Sequence, residues 1–230
     1  MLHAQPLKRI SVILVEDESL YRDLLRHALS DHPRLEVVGA FPDGTSALEA
    51  APRLCPQVAM LDIELPGPLN GIQTGLLLRE KLPEMGIVLL SNHQDPEYLS
   101  LIPHGSIAGW SYLLKKSVSD LQALTRAIEG AAAGFVVLDP QLVAGAKDRT
   151  GSHVARLTRR QREIIALIAQ GFTNAAIAQR LCLAEKSVEN QINVLYQELE
   201  IDRDDSSLQP RVKAVLIYLK ESQPTAWTRS

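Results

Sequence analysis

The sequence predicts an α/β domain, a five-stranded parallel sheet doubly wound with helices, followed by a smaller all-α domain. Three observations carry this. The chain has 230 residues, and about 150 residues per domain points to two domains rather than one. In the first half, short apolar runs alternate with amphipathic stretches at βαβ spacing. From Leu157 onward apolar residues recur only at helical spacing.

Taken in order, strand patterns fall at 10–15, 35–41, 58–61, 87–90 and 110–114. Each is a short, almost continuously apolar run, as strands covered on both faces require. Helical patterns at 20–29, 45–51, 72–81 and 97–102 separate them, and a fifth at 120–129 follows the last strand. Pro103, Gly105 and Gly109 interrupt the chain after the fourth helix. Residues 133–155 are small, contain glycine and hold no sustained period, so they read as a linker with one docked turn at 140–144. Thr158 can cap a helix running to Gly171, and Asn174 can cap a second at 175–181. A break at 182–184 leads to a third helix, 185–200, and 211–221 forms a fourth. The expected divisions are therefore 8–132, a linker at 133–155, 156–222, and a tail at 223–230.

Hydrophobic residues make up 46% and charged residues 22%, a composition that supplies a core and excludes wholesale disorder. No apolar run approaches the roughly 18 residues of a membrane span. No signal peptide is visible at the N-terminus, so a cytoplasmic protein is expected. Cys55 and Cys182 lack the spacing of a metal site and are expected to be buried free thiols. The formal charge of −3 seems to discourage nucleic acid, but it hides a split. Residues 1–132 hold 11 Lys/Arg against 16 Asp/Glu, and residues 133–230 hold 13 against 11.

Ligands of an open parallel sheet gather at the carboxyl ends of its strands. Glu16 and Asp17 follow the first expected strand, Asp62 the third, Ser91 the fourth and Lys115 the fifth. Clustered carboxylates repel unless a cation joins them, and an all-oxygen set suits magnesium better than zinc. A lysine and a hydroxyl beside them suit a phosphoryl group. Singly, each residue has a plainer reading as a helix cap, a turn residue or a solvated strand end. Together, in this order, they point to phosphoryl chemistry.

The segments VEDE, MLDIELPG, LLSN and SYLLKK at those strand ends resemble the receiver domain of two-component response regulators over about residues 8–132. The resemblance implies a flavodoxin-like fold with Asp62 as the phosphorylated aspartate. It implies Glu16, Asp17, Asp62 and the main-chain carbonyl of Glu64 as Mg2+ ligands. Ser91 and Tyr112 are then the switch residues, and Lys115 the phosphate-pairing lysine. It also implies a sensor histidine kinase as phosphoryl donor, and no enzymatic activity beyond magnesium-dependent self-phosphorylation and autodephosphorylation. The chain departs from the pattern at Trp110, where a small residue is usual, and in a slightly long stretch from Ser91 to Lys115.

LTRRQREIIALIAQGFTNAAIAQRLCLAEKSVENQI resembles the LuxR-type helix-turn-helix of NarL/FixJ response regulators, over about residues 156–222. Ala175, Ile177, Ala178 and Leu181 pack one helix, and Val188 and Ile192 anchor the next, leaving its amino-terminal half to enter a major groove. The resemblance assigns contacts with double-stranded DNA to Lys186, Ser187, Glu189, Asn190 and Asn193. Arg159, Arg160 and Arg162 are offered to the phosphate backbone. A homodimer formed on phosphorylation would match two-fold DNA sites.

One feature resists. Glu189 stands where the family commonly has Lys or Arg, and residues 185–200 hold one lysine against four glutamates. Glu189 accepting from a cytosine amine, a merely solvated acidic face, and a module that contacts protein rather than DNA are all open readings. The insertion IDRDDSSLQP before the last helix is acidic as well. A metal-dependent phosphatase using Asp62 as nucleophile is a further alternative, with Glu64 a loose candidate for its acid.

Overall fold

The computed structural model describes residues 9–93, 101–103, 106–144, 151–202, 205 and 208–222. The chain divides into two compact units, Met1–Gly134 and Phe135–Ser230.

In the first unit β1 (Ile10–Val15), β2 (Leu35–Phe41), β3 (Val58–Asp62), β4 (Gly86–Ser91) and β5 (Trp110–Leu114) form a sheet in the order β2-β1-β3-β4-β5. These neighbours pair in parallel, with Leu14 opposite Met60, Met60 opposite Val88, and Leu89 opposite Tyr112. β3, β4 and β5 are buried along their whole length, which explains their unbroken apolar sequences. Each crossover is closed by local chemistry. Asp43 caps α2 (Gly44–Leu54) by accepting from the Ser46 N–H at 2.8 Å. Asn70 and Gln73 form a reciprocal capping box on α3 (Gly71–Lys81), and Asp120 caps α4 (Leu121–Ala132). α1 (Ser19–Ser30) buries Leu25 and Leu29. α1 packs chiefly on β2 and α4 on β4 and β5, while α2 and α3 lie side by side. A 3-10 turn, Lys115–Ser119, joins β5 to α4.

Most of the helix expected at 97–102 lies outside the described residues. Leu101 and Ile102, which are described, form a turn. The stretch read as a linker holds more than one docked turn. It contains a two-residue strand, β6 (Val137–Leu138), then α5 (Pro140–Ala144) and α6 (His153–Arg156). These pieces are too short to show a period, yet Val137, Leu138, Val143 and Val154 are buried.

The second unit continues with α7 (Arg159–Ala169), α8 (Asn174–Leu181), α9 (Glu185–Glu198) and α10 (Pro210–Glu221). Thr158 and Gln161 form a capping box on α7. The cap of α8 is Thr173, accepting from the Ala176 N–H, and not Asn174, which is already the first helical residue. Ile164, Ile165, Ile168, Ile177, Val188, Ile192, Leu195, Val212 and Val215 make the core. Arg211 ties α10 to the α7–α8 turn by donating to the Phe172 carbonyl and, at 3.4 Å, to Asn174.

Both cysteines are exposed, against expectation. The reason is backbone geometry: Cys55 and Cys182 are helix C-caps with φ of 46° and 53°, and the left-handed turn directs both side chains to solvent.

Candidate functional site

Because its strands run parallel, the first unit presents the ends of β1, β3, β4 and β5 along one edge. Glu16 leaves β1, Asp62 is the last residue of β3, Ser91 the last of β4, and Lys115 follows β5. β2 and β3 flank β1 on opposite sides, so the chain diverges beside Glu16 and Asp62, where ligands of such sheets gather.

Glu16 is 1% exposed and Asp62 2%. The Lys115 ammonium lies between them, 2.9 Å from Asp62 Oδ2 and 2.9 Å from Glu16 Oε2. It donates a hydrogen bond to Glu16 Oε1 at 3.0 Å. Glu16 Oε2 is buried and, beyond this ion pair with the ammonium, accepts no hydrogen bond among the described residues. Burial pushes the Glu16 carboxyl above the usual range, and Lys115 only partly offsets this. Burial alone would lower the lysine, but its hydrogen bonds to Glu16 and Asp62 and their charges outweigh that, and its pKa is raised. One carboxylate oxygen from each of Glu16, Asp17 and Asp62 lies within 4.8 Å of the others, with Asp17 at the exposed side.

The loop after β3 is shaped around Asp62. The Glu64 N–H donates to Asp62 Oδ1 at 3.1 Å, and Gly71 N–H donates to the Ile63 carbonyl at 3.0 Å. A Cβ on Gly71 would run into the Asp62 carbonyl oxygen, so the start of α3 reaches this close only as glycine. Ser91 Oγ accepts from the His93 N–H at 3.0 Å and lies 3.1 Å from the His93 carbonyl as a donor. The fully buried Tyr112 donates its hydroxyl proton to the same carbonyl at 2.6 Å. The two residues read as a switch thus meet at one peptide group.

Several contributors were not legible in the sequence. Tyr21 donates to the Lys115 carbonyl at 3.3 Å, its ring lies 5.1 Å from the ammonium, and burial pushes its phenol up to about 12. Arg22 holds the β1–α1 turn by donating to the Glu16 and Asp17 carbonyls. The Glu64 side chain crosses to the β4 loop, accepting from Asn92 at 3.1 Å and lying 3.5 Å from His93 Nε2. Helical spacing after VEDE could have flagged Tyr21 and Arg22. Nothing local pairs Glu64 with residues 92 and 93.

In the second unit α8 and α9 meet through the Cys182 turn, and α9 buries Val188, Ile192 and Leu195. Lys186, Ser187, Asn190 and Asn193 are exposed and Glu189 is half-buried. Lys186 donates to Glu189 Oε2 at 2.9 Å, one turn along the helix. Arg159 and Arg160 both pair with Glu163, at 3.3 and 2.8 Å. Arg162 Nε bonds the Leu157 carbonyl at 3.0 Å, which gives it a local structural role at the start of α7.

A doubly wound sheet with a cation-bridged acidic pocket at its strand ends, carried on one chain with a helix-turn-helix unit, defines a signalling regulator. Comparison with known proteins makes this particular. Residues 12–129 match the response regulator receiver domain, and residues 155–206 match the bacterial regulatory proteins of the luxR family. The nitrate/nitrite response regulator protein NarL of Escherichia coli K12 is 32% identical over 200 residues, covering 83% of this chain and 89% of its own. The DNA-binding transcriptional activator DevR/DosR of Mycobacterium tuberculosis is 31% identical, covering 84% and 90%. Among solved structures, a LuxR-family two-component response regulator from Aurantimonas sp. SI85-9A1 aligns over 60% of this chain and 94% of its own, with TM-score 0.53 and 26% identity. RcsB dimers bound to two parallel DNAs share the fold at TM-score 0.53 and 22% identity, over 94% of this chain and all of that one. The chain belongs to the two-component response regulators, with a receiver domain followed by a LuxR-type DNA-binding domain that serves transcription regulation. Among the described residues no helix is long and apolar enough to cross a membrane.

Proposed function

We propose that Asp62 accepts a phosphoryl group from the phosphohistidine of a sensor kinase, and that this sets the affinity of the second unit for operator DNA. The observation that carries it is the Lys115 ammonium held at 2.9 Å from both Asp62 and Glu16 at the strand ends. The working divisions are a receiver at 8–132 and a DNA-binding domain at 156–222, acting in the cytoplasm.

The pocket fits Mg2+: three carboxylates offer oxygens within 4.8 Å, and the buried Glu16 Oε2, which accepts no hydrogen bond among the described residues, keeps a lone pair that a hard cation would take. Glu16, Asp17, Asp62 and the Glu64 carbonyl would hold it. When bound, it supplies neutralisation of charge on the transferring phosphoryl oxygens. The rest is positioning by the chain. The Glu64 N–H and Lys115 fix the Asp62 carboxylate, one of whose oxygens attacks phosphorus as the bond to the donor imidazole breaks. Lys115 then pairs with the new phosphate oxygens. Ser91 turns from His93 to the phosphate, which releases the carbonyl that Tyr112 also binds and alters the packing at the ends of β4 and β5. Two phosphorylated copies pairing on DNA turn two weak half-sites into one usable site.

Asp62→Asn is expected to take up no label from a phosphorylated kinase while its circular dichroism stays unchanged; a labelled variant overturns the assignment. DNA binding is tested with full-length protein plus beryllofluoride, titrated on random and selected duplexes across a salt series. Tighter, steeply salt-dependent binding to the selected pool is expected. The Lys186–Glu189 pair favours a second reading, in which the helical unit docks a protein. Equal, salt-insensitive responses on both pools would support it.

A further inference from the structure

Lys186, Asn190 and Val194 lie four residues apart on α9, in a single row along the helix. All three are exposed, while Val188, Ile192 and Leu195 on the other side enter the core. Val194, 41% exposed, is a large apolar side chain on an otherwise polar face. Its neighbours on that face, Asn193 and Gln197, are amides, and the one cation of the row is neutralised by Glu189 at 2.9 Å. This is a poor surface for phosphate, whose recognition needs unpaired positive charge. It is a good surface for base edges: an Asn amide matches the N6/N7 pair of adenine, and a branched apolar side chain matches the C5-methyl of thymine. Eight residues of helix advance about 12 Å, the height of three to four stacked base pairs.

Building on the DNA-binding reading above, we infer that Val194 is a specificity-determining residue that packs on a thymine methyl group, next to an adenine read by Asn190. The target half-site therefore contains an A·T step under the middle of α9, and discrimination there comes from shape and amide hydrogen bonds more than from charge.

The test uses the full-length chain with beryllofluoride. A binding site is first selected from a random duplex pool, and each thymine of that site is then replaced singly by deoxyuridine, which deletes only the methyl group. One replacement is expected to weaken binding roughly fourfold, the equivalent of one buried methyl-sized group. Val194→Ala, on the solvent side of a folded helix, is expected to abolish that difference while tolerating the uracil site equally well. Asn190→Ala is expected to relax the choice at an adjacent base pair by tenfold or more. Specific binding that ignores every uracil, or a methyl effect that persists in Val194→Ala, overturns the inference and leaves the DNA reading intact. A pool from which no sequence emerges overturns both.

Discussion

Trp110 is accommodated by a glycine of α3. The indole is fully buried, and its Cη2 and Cζ3 atoms would lie 2.7 and 3.1 Å from a Cβ built on Gly75 of α3, with Leu61 Cδ1 at 3.2 Å. Replacing Gly by Ala within a helix gains about 1 kcal/mol of backbone propensity. Forcing a methyl into a packed core costs about 1–3 kcal/mol. Gly75→Ala is therefore expected to destabilise the protein by up to about 2 kcal/mol. Trp110→Ala alone should cost about 3 kcal/mol, the low end for a buried aromatic. The low end applies because truncation also removes a buried indole N–H that has no partner among the described residues. With the ring gone only the 3.2 Å contact with Leu61 Cδ1 remains, and that side chain has the vacated space to shift into, so Gly75→Ala should now stabilise by about 1 kcal/mol. The sign reversal amounts to a coupling of about 1–3 kcal/mol in a double-mutant cycle. The assay is urea unfolding followed by far-UV circular dichroism, with the receiver transition identified by its shift with added Mg2+. Stabilisation by Gly75→Ala in the native background, or the same change in both backgrounds, would refute the packing argument.

Three further outcomes are expected. Lys115→Met leaves Glu16 and Asp62 facing each other unbalanced; with the lysine side chain only 14% exposed, a loss of about 3 kcal/mol is expected. The rise in Tm on adding Mg2+ should exceed that of the native protein, and equal Tm values in chelator would contradict it. In the second unit His153 Nδ1 lies 2.8 Å from Glu221, which also accepts from the Val154 N–H at 3.0 Å. The hydrogen bond to Glu221 raises the histidine, so its contribution is full below 6.5 and is lost as pH rises through the folded value. Burial opposes the Glu221 charge, but the bonds from His153 and Val154 outweigh it and hold the carboxyl low, so its contribution is present above 4.5 and lost in acid. The stability difference between native and Glu221→Gln protein should therefore be greatest between pH 4.5 and 6.5, as thermal melts at stepped pH would show; a flat difference counts against the pair. Finally, Glu189→Gln frees Lys186 and should steepen the salt dependence of DNA binding by about 0.9 in the log–log slope, while an unchanged slope would deny the lysine a phosphate.

The elements that emerged where the sequence placed them are those with strong local causes. β3 and β4 are continuous apolar runs because both faces are covered, and Thr158 with Gln161 signals the start of α7. The failures also have local causes. Thr173 and Asn174 are both competent caps, and which one bonds the free N–H is decided by where the chain enters the helix. Cys55 and Cys182 look like core residues by type, but a positive φ turns them outward. Val137, Leu138 and Val154 sit in segments too short to show a period, so their burial was invisible.

At the site the same line can be drawn. Alternation of strands and helices, with Glu16, Asp17, Asp62, Ser91 and Lys115 at successive strand ends, is one-dimensional information, because a parallel sheet brings every such end to one edge. Order along the chain was enough for that. The lysine midway between two buried carboxylates, the His93 carbonyl shared by Ser91 and Tyr112, the Glu64 bridge to Asn92 and His93, and the fit of Trp110 on Gly75 join residues distant in sequence. Their distances depend on strand register and loop path, which many side chains set together and no local pattern records. The acidity of α9 shows both halves: composition located Glu189 and Lys186, but only the folded helix showed that they neutralise each other and leave Asn190 and Val194 to face outward.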